Sequence, residues 1–426
     1  MSFLSMGSLR NLMVNRSLRA ICEDRLYKSI SLDSHYWRTA HLFQTFRLRL
    51  DLARRVRQLE IDASEWDRWP NFPRVPSSIQ FRRLNPLAFA RNLRSLTLTN
   101  LRSWIRLKKR GGFQTAISFM ELTHLGIEGM YDDPFDDMHL PEWDEDFFED
   151  IFSIFQHQPL LKSFSLVRCP IHPTFVANIS ARLSPADVPA LKSLTARPDV
   201  AAAFLSRIGG LESITLVIEQ TPDFEQAPDF VRGPISTEPA ENRASIHKLT
   251  FRVTQKEDWS WEQVSTFIPL FPDVEALRVV MCPRCFSYFD MPKGVESCLE
   301  TMTSNIHILP LIRYLEITAN TRDEIVNAAT PVSRKGWILA YWDDPEIFKW
   351  LDKFVTDIKA VCPQLEMVID PKRRVWDMSG SDNSGGGFSA KLLGKLELEQ
   401  TRFVYDLPLI SPKVKPTLRK LLGWLI

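Results

Sequence analysis

No stretch of this chain stays apolar long enough to cross a bilayer, which argues against a membrane-spanning helix. Charge of one sign is not in excess. The 53 Lys and Arg nearly balance 52 Asp and Glu, and a net charge of +1 gives no global pull toward nucleic acid or an acidic membrane. Cysteine is sparse, six in 426 residues with no secretory signal, as expected of reduced thiols in the cytoplasm or nucleus. Catalytic signatures are missing too. There is no Gly-x-Ser-x-Gly elbow, His-Glu-x-x-His pair, Walker loop or dinucleotide fingerprint, and the eight His are scattered. The chain does not read as an enzyme, and no cofactor is expected.

What is abundant is one short pattern: an apolar residue, two variable ones, an apolar residue, one variable, then usually another apolar residue. Leu93-Arg-Ser-Leu96-Thr-Leu98, Leu161-Lys-Ser-Phe164-Ser-Leu166 and Leu211-Glu-Ser-Ile214-Thr-Leu216 are clear copies. Copies begin at positions 56, 93, 122, 161, 191, 211, 246, 274, 312 and 365, and those at Leu191, Ile246 and Leu365 are weaker. The last two apolar residues of a copy flank one variable residue, the period-2 signal of a strand with one buried face. One such unit cannot bury its apolar face alone, so copies must stack. This is the strand portion of a leucine-rich repeat, and it predicts an α/β solenoid with a curved parallel sheet and helices on the outer face. Successive copies lie 20 to 53 residues apart, whereas regular repeats of this kind run about 20–29. The solenoid should therefore be irregular.

The long return segments read mostly as helices. Phe147, Phe148, Ile151, Phe152 and Phe155 fall on helical spacing, and a second stripe after Asp344-Pro345 takes in Phe348, Leu351, Phe354 or Val355, Ile358 and Val361. Residues 261–271 and 295–309 behave likewise. Pro189, Pro272, Pro310 and Pro363 each stand two residues before a strand's first apolar residue, where proline is expected to end the helix and favour extended backbone. Residues 220–245 read as a solvated loop, and the Gly/Ser-rich run in 377–390 as a flexible linker. The expected organisation is a helical segment over 1–32, the solenoid over 33–376, that linker, and a C-terminal segment over 391–426 that could cap the stack.

Three clusters invite chemistry. Cys282, Cys285, Cys298 and His307 imitate a zinc site, but Cys169 and Cys282 both occupy the Asn/Cys position of the repeat, so small buried residues are expected there and no metal. Residues 131–150 carry ten acids and no Lys or Arg. They lead into the Phe147 helix, whose N-terminal dipole favours them, and a docking loop for a basic partner is the secondary reading. Trp104 to Arg110 is a short basic loop, read as solvated rather than as a nucleic-acid contact.

At the N-terminus, Leu9, Leu12, Met13, Leu18, Ile21, Cys22 and Leu26 form a helical stripe that could cap the first repeat. The composition of 1–22, with Arg10, Arg16 and Arg19 and no acid, would also suit a transit peptide. The run from Phe3-Leu4 through Leu9-Arg-Asn-Leu12-Met-Val14-Asn15-Arg16-Ser-Leu18 to Leu26-Tyr27-Lys-Ser-Ile30 resembles the second half of an F-box. It is most similar to the version in fungal F-box and leucine-rich-repeat proteins, and Asp51 to Ile61 resembles the first repeat strand of that group. The resemblance implies a substrate-recruiting subunit of an SCF-type (Skp-cullin-F-box) ubiquitin ligase. Leu9, Leu12, Val14, Asn15 and Leu18 would then face the Skp-type adaptor. The Leu-Pro-x-Glu helix that opens an F-box has no counterpart here, so adaptor binding is expected to be weakened. A free-standing repeat scaffold without ligase function is the alternative.

In either case a protein partner, with no nucleic acid and no membrane, is expected on the concave face. Its residues lie between the core positions (Glu60, Thr97, Gly126, Ser165, Thr195, Thr215, Thr250, Arg278, Glu316) and one step beyond them (Asp62, Thr99, Glu128, Val167, Arg197, Val217, Arg252, Val280, Thr318). Of these, Glu60, Asp62 and Glu128 come early, Arg197, Arg252 and Arg278 cluster in the middle, and Glu316 comes late. A partner with an acidic patch opposite the middle is favoured.

Overall fold

The computed structural model describes residues 23, 26–32, 42, 45–62, 86–101, 117, 118, 120–129, 147–169, 171, 173–218, 246–253, 267–281, 300, 302–304, 306, 311–319, 345–370, 374–378 and 391–395. One 13-stranded sheet runs through them, and its strand order is the order of the sequence. The strands are β1 (Ser29–Leu32), β2 (Gln58–Asp62), β3 (Ser95–Leu101), β4 (His124–Gly129), β5 (Ser163–Val167), β6 (Ser193–Ala196), β7 (Ser213–Ile218), β8 (Lys248–Val253), β9 (Ala276–Met281), β10 (Tyr314–Ala319), β11 (Met367–Ile369), β12 (Arg374–Asp377) and β13 (Lys391–Lys395). From β1 to β11 every neighbouring pair is parallel, while β12 and β13 join antiparallel. The helices described are α1 (Leu50–Ala53), α2 (Phe147–His157), α3 (Pro173–Arg182), α4 (Pro198–Leu205) and α5 (Pro345–Val361).

Each of the ten repeat copies opens a strand two residues after its first apolar residue, from Val56 before β2 to Leu365 before β11. All ten of those first residues are buried, as are the ten second ones, which form one row through the sheet from Leu59 to Val368. That row is in register: Leu59 faces Leu96, Leu96 faces Leu125, Leu125 faces Phe164, and so on. Each side chain taken out of water contributes about 1.5–3 kcal/mol, and it can do so only because the next coil covers it. The result is a leucine-rich-repeat-like stack.

A four-residue turn feeds β2, β3, β5, β6, β9 and β11. It is closed by the amide of the first apolar residue, which donates to the carbonyl three residues back: Val56 to Ala53, Leu93 to Ala90, Leu161 to Gln158, Leu191 to Val188, Val274 to Phe271 and Leu365 to Cys362. The turn corrects the reading of the prolines. Pro159, Pro189, Pro272 and Pro363 occupy the second position of such turns, where a fixed φ and a missing N–H suit the geometry; they do not open extended backbone. Helix α3 begins at Pro173 and α4 at Pro198, the first-turn position that proline tolerates.

On the helix side the middle coils share a phenylalanine core. Phe155 meets Phe164 edge-on at 5.1 Å, Phe164 lies 6.0 Å from Phe204, and Phe147 stacks on Phe175 at 5.0 Å. Phe152 of the α2 stripe is only half-buried, and Arg182, paired with Glu149, spreads its guanidinium over Phe148 and Phe152. In α5 the residues Leu351, Phe354, Val355 and Ile358 are buried. Val361 is 38 % exposed and leaves the stripe, because the helix ends there and Lys359 reaches over its end to the carbonyls of Pro363 and Leu365. The described residues of 295–309 include helical ones with Met302 and Ile306 buried, and those of 261–271 contain a short 3-10 turn, Ile268–Leu270.

Both ends of the stack depart from expectation. Residues 29–32, placed by sequence at the end of the helical cap, are a strand paired to β2, with Ile30 packed on the core. The Gly/Ser-rich run from 379 to 390 lies outside the described residues, and the strands on either side of it, β12 and β13, are antiparallel neighbours in the same sheet. In the last repeat the third core position holds not an apolar residue but Asp370, which is fully buried. Its carboxylate accepts the Arg374 amide at 2.9 Å and the Trp376 indole N–H at 3.4 Å, and forms an ion pair with the Arg374 guanidinium. These bonds turn the chain back on itself and end the parallel run.

Candidate protein-binding face

The row between the core positions is in register across the sheet, with Glu60 opposite Thr97, Thr195 opposite Thr215, Thr215 opposite Thr250, Thr250 opposite Arg278, and Arg278 opposite Glu316. Its hydroxyl members, including Thr195, Thr215 and Thr250, are half-buried and turned away from the helices. Small β-branched residues suit a crowded parallel sheet and leave a flat polar strip.

The charged residues of this face are largely engaged within the chain. Ser31 donates to Glu60 at 3.0 Å. Glu128 pairs with Arg168 at 3.1 Å. Arg168 holds a left-handed φ of 54°, rare for a residue with a Cβ, and its carbonyl comes so close to Gly129 that a Cβ there would sit 1.9 Å from it. Arg197 lies just past the end of β6 and grips Asp199 through two nitrogens, at 2.7 and 3.3 Å. Arg252 lies on β8 between Val217 and Val280, and Arg278 lies on the neighbouring strand β9, 3.5 Å from Glu316. Glu316 is 1 % exposed, and neither of its oxygens accepts a hydrogen bond. The structure therefore brings Arg252 and Arg278 onto adjacent strands, but sets Arg197 two strands from Arg252 and commits it and Arg278 to carboxylates.

Two further expectations change. Val167 and Val217 do not line an open face: they are 2 % and 0 % exposed, because an apolar side chain on either side of the sheet is covered where the fold allows it. Asp62 and Thr318 are placed only as strand residues, opposite Thr99 and Val280. Leu9, Leu12, Val14, Asn15 and Leu18 lie outside the described residues, as do Cys282, Cys285, Cys298, His307, the acidic run before Phe147 and the basic loop after Trp104. Cys169 is buried where the repeat puts it, its thiol donating to the Val167 carbonyl at 3.2 Å.

One column escaped the sequence reading. The residue after each first apolar residue lends its carbonyl to two amides of the next coil, as Arg57 does to Arg94 and Ser95. These residues stand side by side along the margin where the strands begin. From β1 they run Lys28, Arg57, Arg94, Thr123, Lys162 and Lys192, then Glu212, His247, Glu275, Arg313 and Glu366. The later part alternates in sign: Lys192 pairs with Glu212 at 2.8 Å, Arg313 with Glu366 at 2.5 Å, and His247 lies 3.6 Å from Glu275. Aligning the copies on their first apolar residue would have exposed this column.

Elsewhere, a cleft of about 380 Å³ lies between residues 300–304 and α5, with Trp350 and Phe354 in its wall and Glu300 and Lys353 3.7 Å apart. Among the described residues no three of His, Cys, Asp and Glu stand together as metal ligands, and no helix is long and apolar enough to cross a membrane.

No family model matches this chain, and no curated protein does. Among solved structures, the leucine-rich repeat-containing protein LegL7 from Legionella pneumophila is similar at 12% identity and a TM-score of 0.35, over 70% of this chain and 81% of that one. The repeat architecture rests on the strands themselves: ten copies of one pattern, each opening a parallel strand at the same offset.

Proposed function

We propose that this chain is a non-enzymatic protein-interaction scaffold that holds a protein partner on the face of its sheet opposite the helices. The observation that supports this most is the in-register polar row at Thr195, Thr215 and Thr250 in the middle of the sheet. Such a row offers hydrogen-bonding groups on a flat strip. A photo-crosslinking residue at Thr215 should capture a partner from cells, and Thr195→Arg should abolish that capture while the far-UV circular dichroism stays unchanged. Capture that survives Thr195→Arg and Thr250→Arg together would reject this face.

The finer role we propose is substrate recruitment to an SCF-type ubiquitin ligase, supported by the F-box-like run from Phe3 to Ile30, which leads directly into β1. Calorimetry with a Skp-type adaptor should show weak binding by the chain as it stands. Adding a Leu-Pro-x-Glu helix upstream should strengthen it, and Leu18→Asp should then weaken it. If the extended protein does not bind the adaptor, the ligase role falls and the scaffold without ligase function stands.

A further inference from the structure

The margin where the strands begin is electrically polarised in a chain whose net charge is only +1. Over its first six coils the column carries Lys28, Arg57, Arg94, Lys162 and Lys192, interrupted only by Thr123. The turns beside it add to this. Arg54 and Arg91 take the turn position that proline fills in several later coils, and Asn92 donates to the Arg54 carbonyl at 2.6 Å, which ties the two turns together. Lys28, Arg54, Arg91 and Lys162 are exposed. Two column cations are offset by acids, Arg94 by Glu121 and Lys192 by Glu212, so the charge rests on Lys28, Arg57 and Lys162 with the turn residues Arg54 and Arg91; Asp51 is taken by Arg49.

The geometry points to this margin as the docking site for an extended acidic segment of a protein partner. The strands β1 to β6 are consecutive in the sheet, and at 4.7–4.9 Å per strand their cations span about 24 Å. An extended chain covers that distance in roughly seven or eight residues. Behind the column the next row is polar throughout, Ser29, Gln58, Ser95, His124, Ser163 and Ser193, each able to bond a peptide backbone. Neither row of these coils holds a Phe, Tyr or Trp, and His124 is the one ring among them, too few to stack successive bases, which favours protein over single-stranded nucleic acid. The inference extends the scaffold reading by naming the partner's chemistry.

Fluorescence polarisation with a labelled octapeptide of alternating Asp and Glu tests it on the full chain. We expect saturable binding that weakens as salt rises, since exposed charges are screened. The triple variant Lys28→Glu/Arg91→Glu/Lys162→Glu should weaken binding by about tenfold or more, and Glu212→Lys, which prolongs the run by one coil, should tighten it by about twofold. Unchanged affinity in both variants overturns the inference. So does an oligonucleotide of equal charge that binds as well as the peptide, since the margin would then be a general polyanion surface. Crosslinking at Thr215 reads the opposite-face row independently, so it can persist when the margin fails, and the reverse.

Discussion

Gln158 is a single buried side chain that holds two coils together. Its amide nitrogen donates to the carbonyls of Ile117 (2.8 Å) and Met120 (3.1 Å), and its oxygen accepts the Leu122 amide at 2.7 Å, so the turn before β5 closes the turn before β4. At 1 % exposure no water replaces these bonds. Gln158→Ala strands the Leu122 amide and the Met120 carbonyl, while the Ile117 carbonyl keeps the Met120 amide, and should cost about 2–4 kcal/mol in urea unfolding with little change in m. A loss below about 1 kcal/mol would mean the turns are held otherwise. Cys362 makes a second prediction at this scale. Burial pushes its thiol up to about 11, so it stays protonated and inert while the fold is intact. In iodoacetamide mapping at pH 8 it should label only after denaturant is added. Because the folded thiol titrates above the unfolded one, this group's contribution is whole below about pH 8.5 and fades as pH climbs toward 11.

At the level of the element, the strand starts were legible because the signal is local: an apolar residue three before the second core position is enough to place β2 through β11. The prolines were misread because a turn and an extended segment both accept a fixed φ, and only the amide three residues on distinguishes them. The margin column was missed because its members become neighbours only through sheet register, across connections of unequal length. Asp370 was missed for a different reason: its partners Arg374 and Trp376 lie on a returning strand that the repeat pattern does not contain. That element carries its own test. Asp370→Ala removes the buried carboxylate that receives the Arg374 guanidinium and the Trp376 indole N–H, a loss of about 3–5 kcal/mol. In hydrogen exchange β12 and β13 should lose protection first while β3 to β8 keep theirs. Uniform loss across the sheet would show that the hairpin is not a separate unit.

For the whole molecule, the strict strand order means that each coil is covered only by the coils before and after it. Stability in such a stack is a sum of unit and neighbour terms, and the phenylalanine-rich coils around β4 to β7 should be its most protected part. Amide exchange should therefore be slowest at Phe164, Leu194 and Ile214 and rise toward β1 and β13. A fastest-exchanging segment at β6 would contradict that picture. The acidic run from 131 to 146 and the basic run from 104 to 110 lie outside the described residues.

The same strand order has a mechanical consequence. Pulled from its two ends, the sheet meets the load one neighbour at a time, because among the described residues each strand pairs only with the strands next to it in sequence. It should give way by unspooling, with steps whose lengths record the sizes of the coils. The step between Ser193 and Ser213 is short, 20 residues, or about 70 Å of released chain at 3.3–3.6 Å per residue. The step from Ala276 to Tyr314 is 38 residues, about 130 Å by the same measure. An optical-trap trace should show these unequal increments, and a single rupture of the whole sheet would rule the behaviour out. A partner seated across several coils would clamp them together, so that the scaffold stiffens where it is occupied and yields where it is empty.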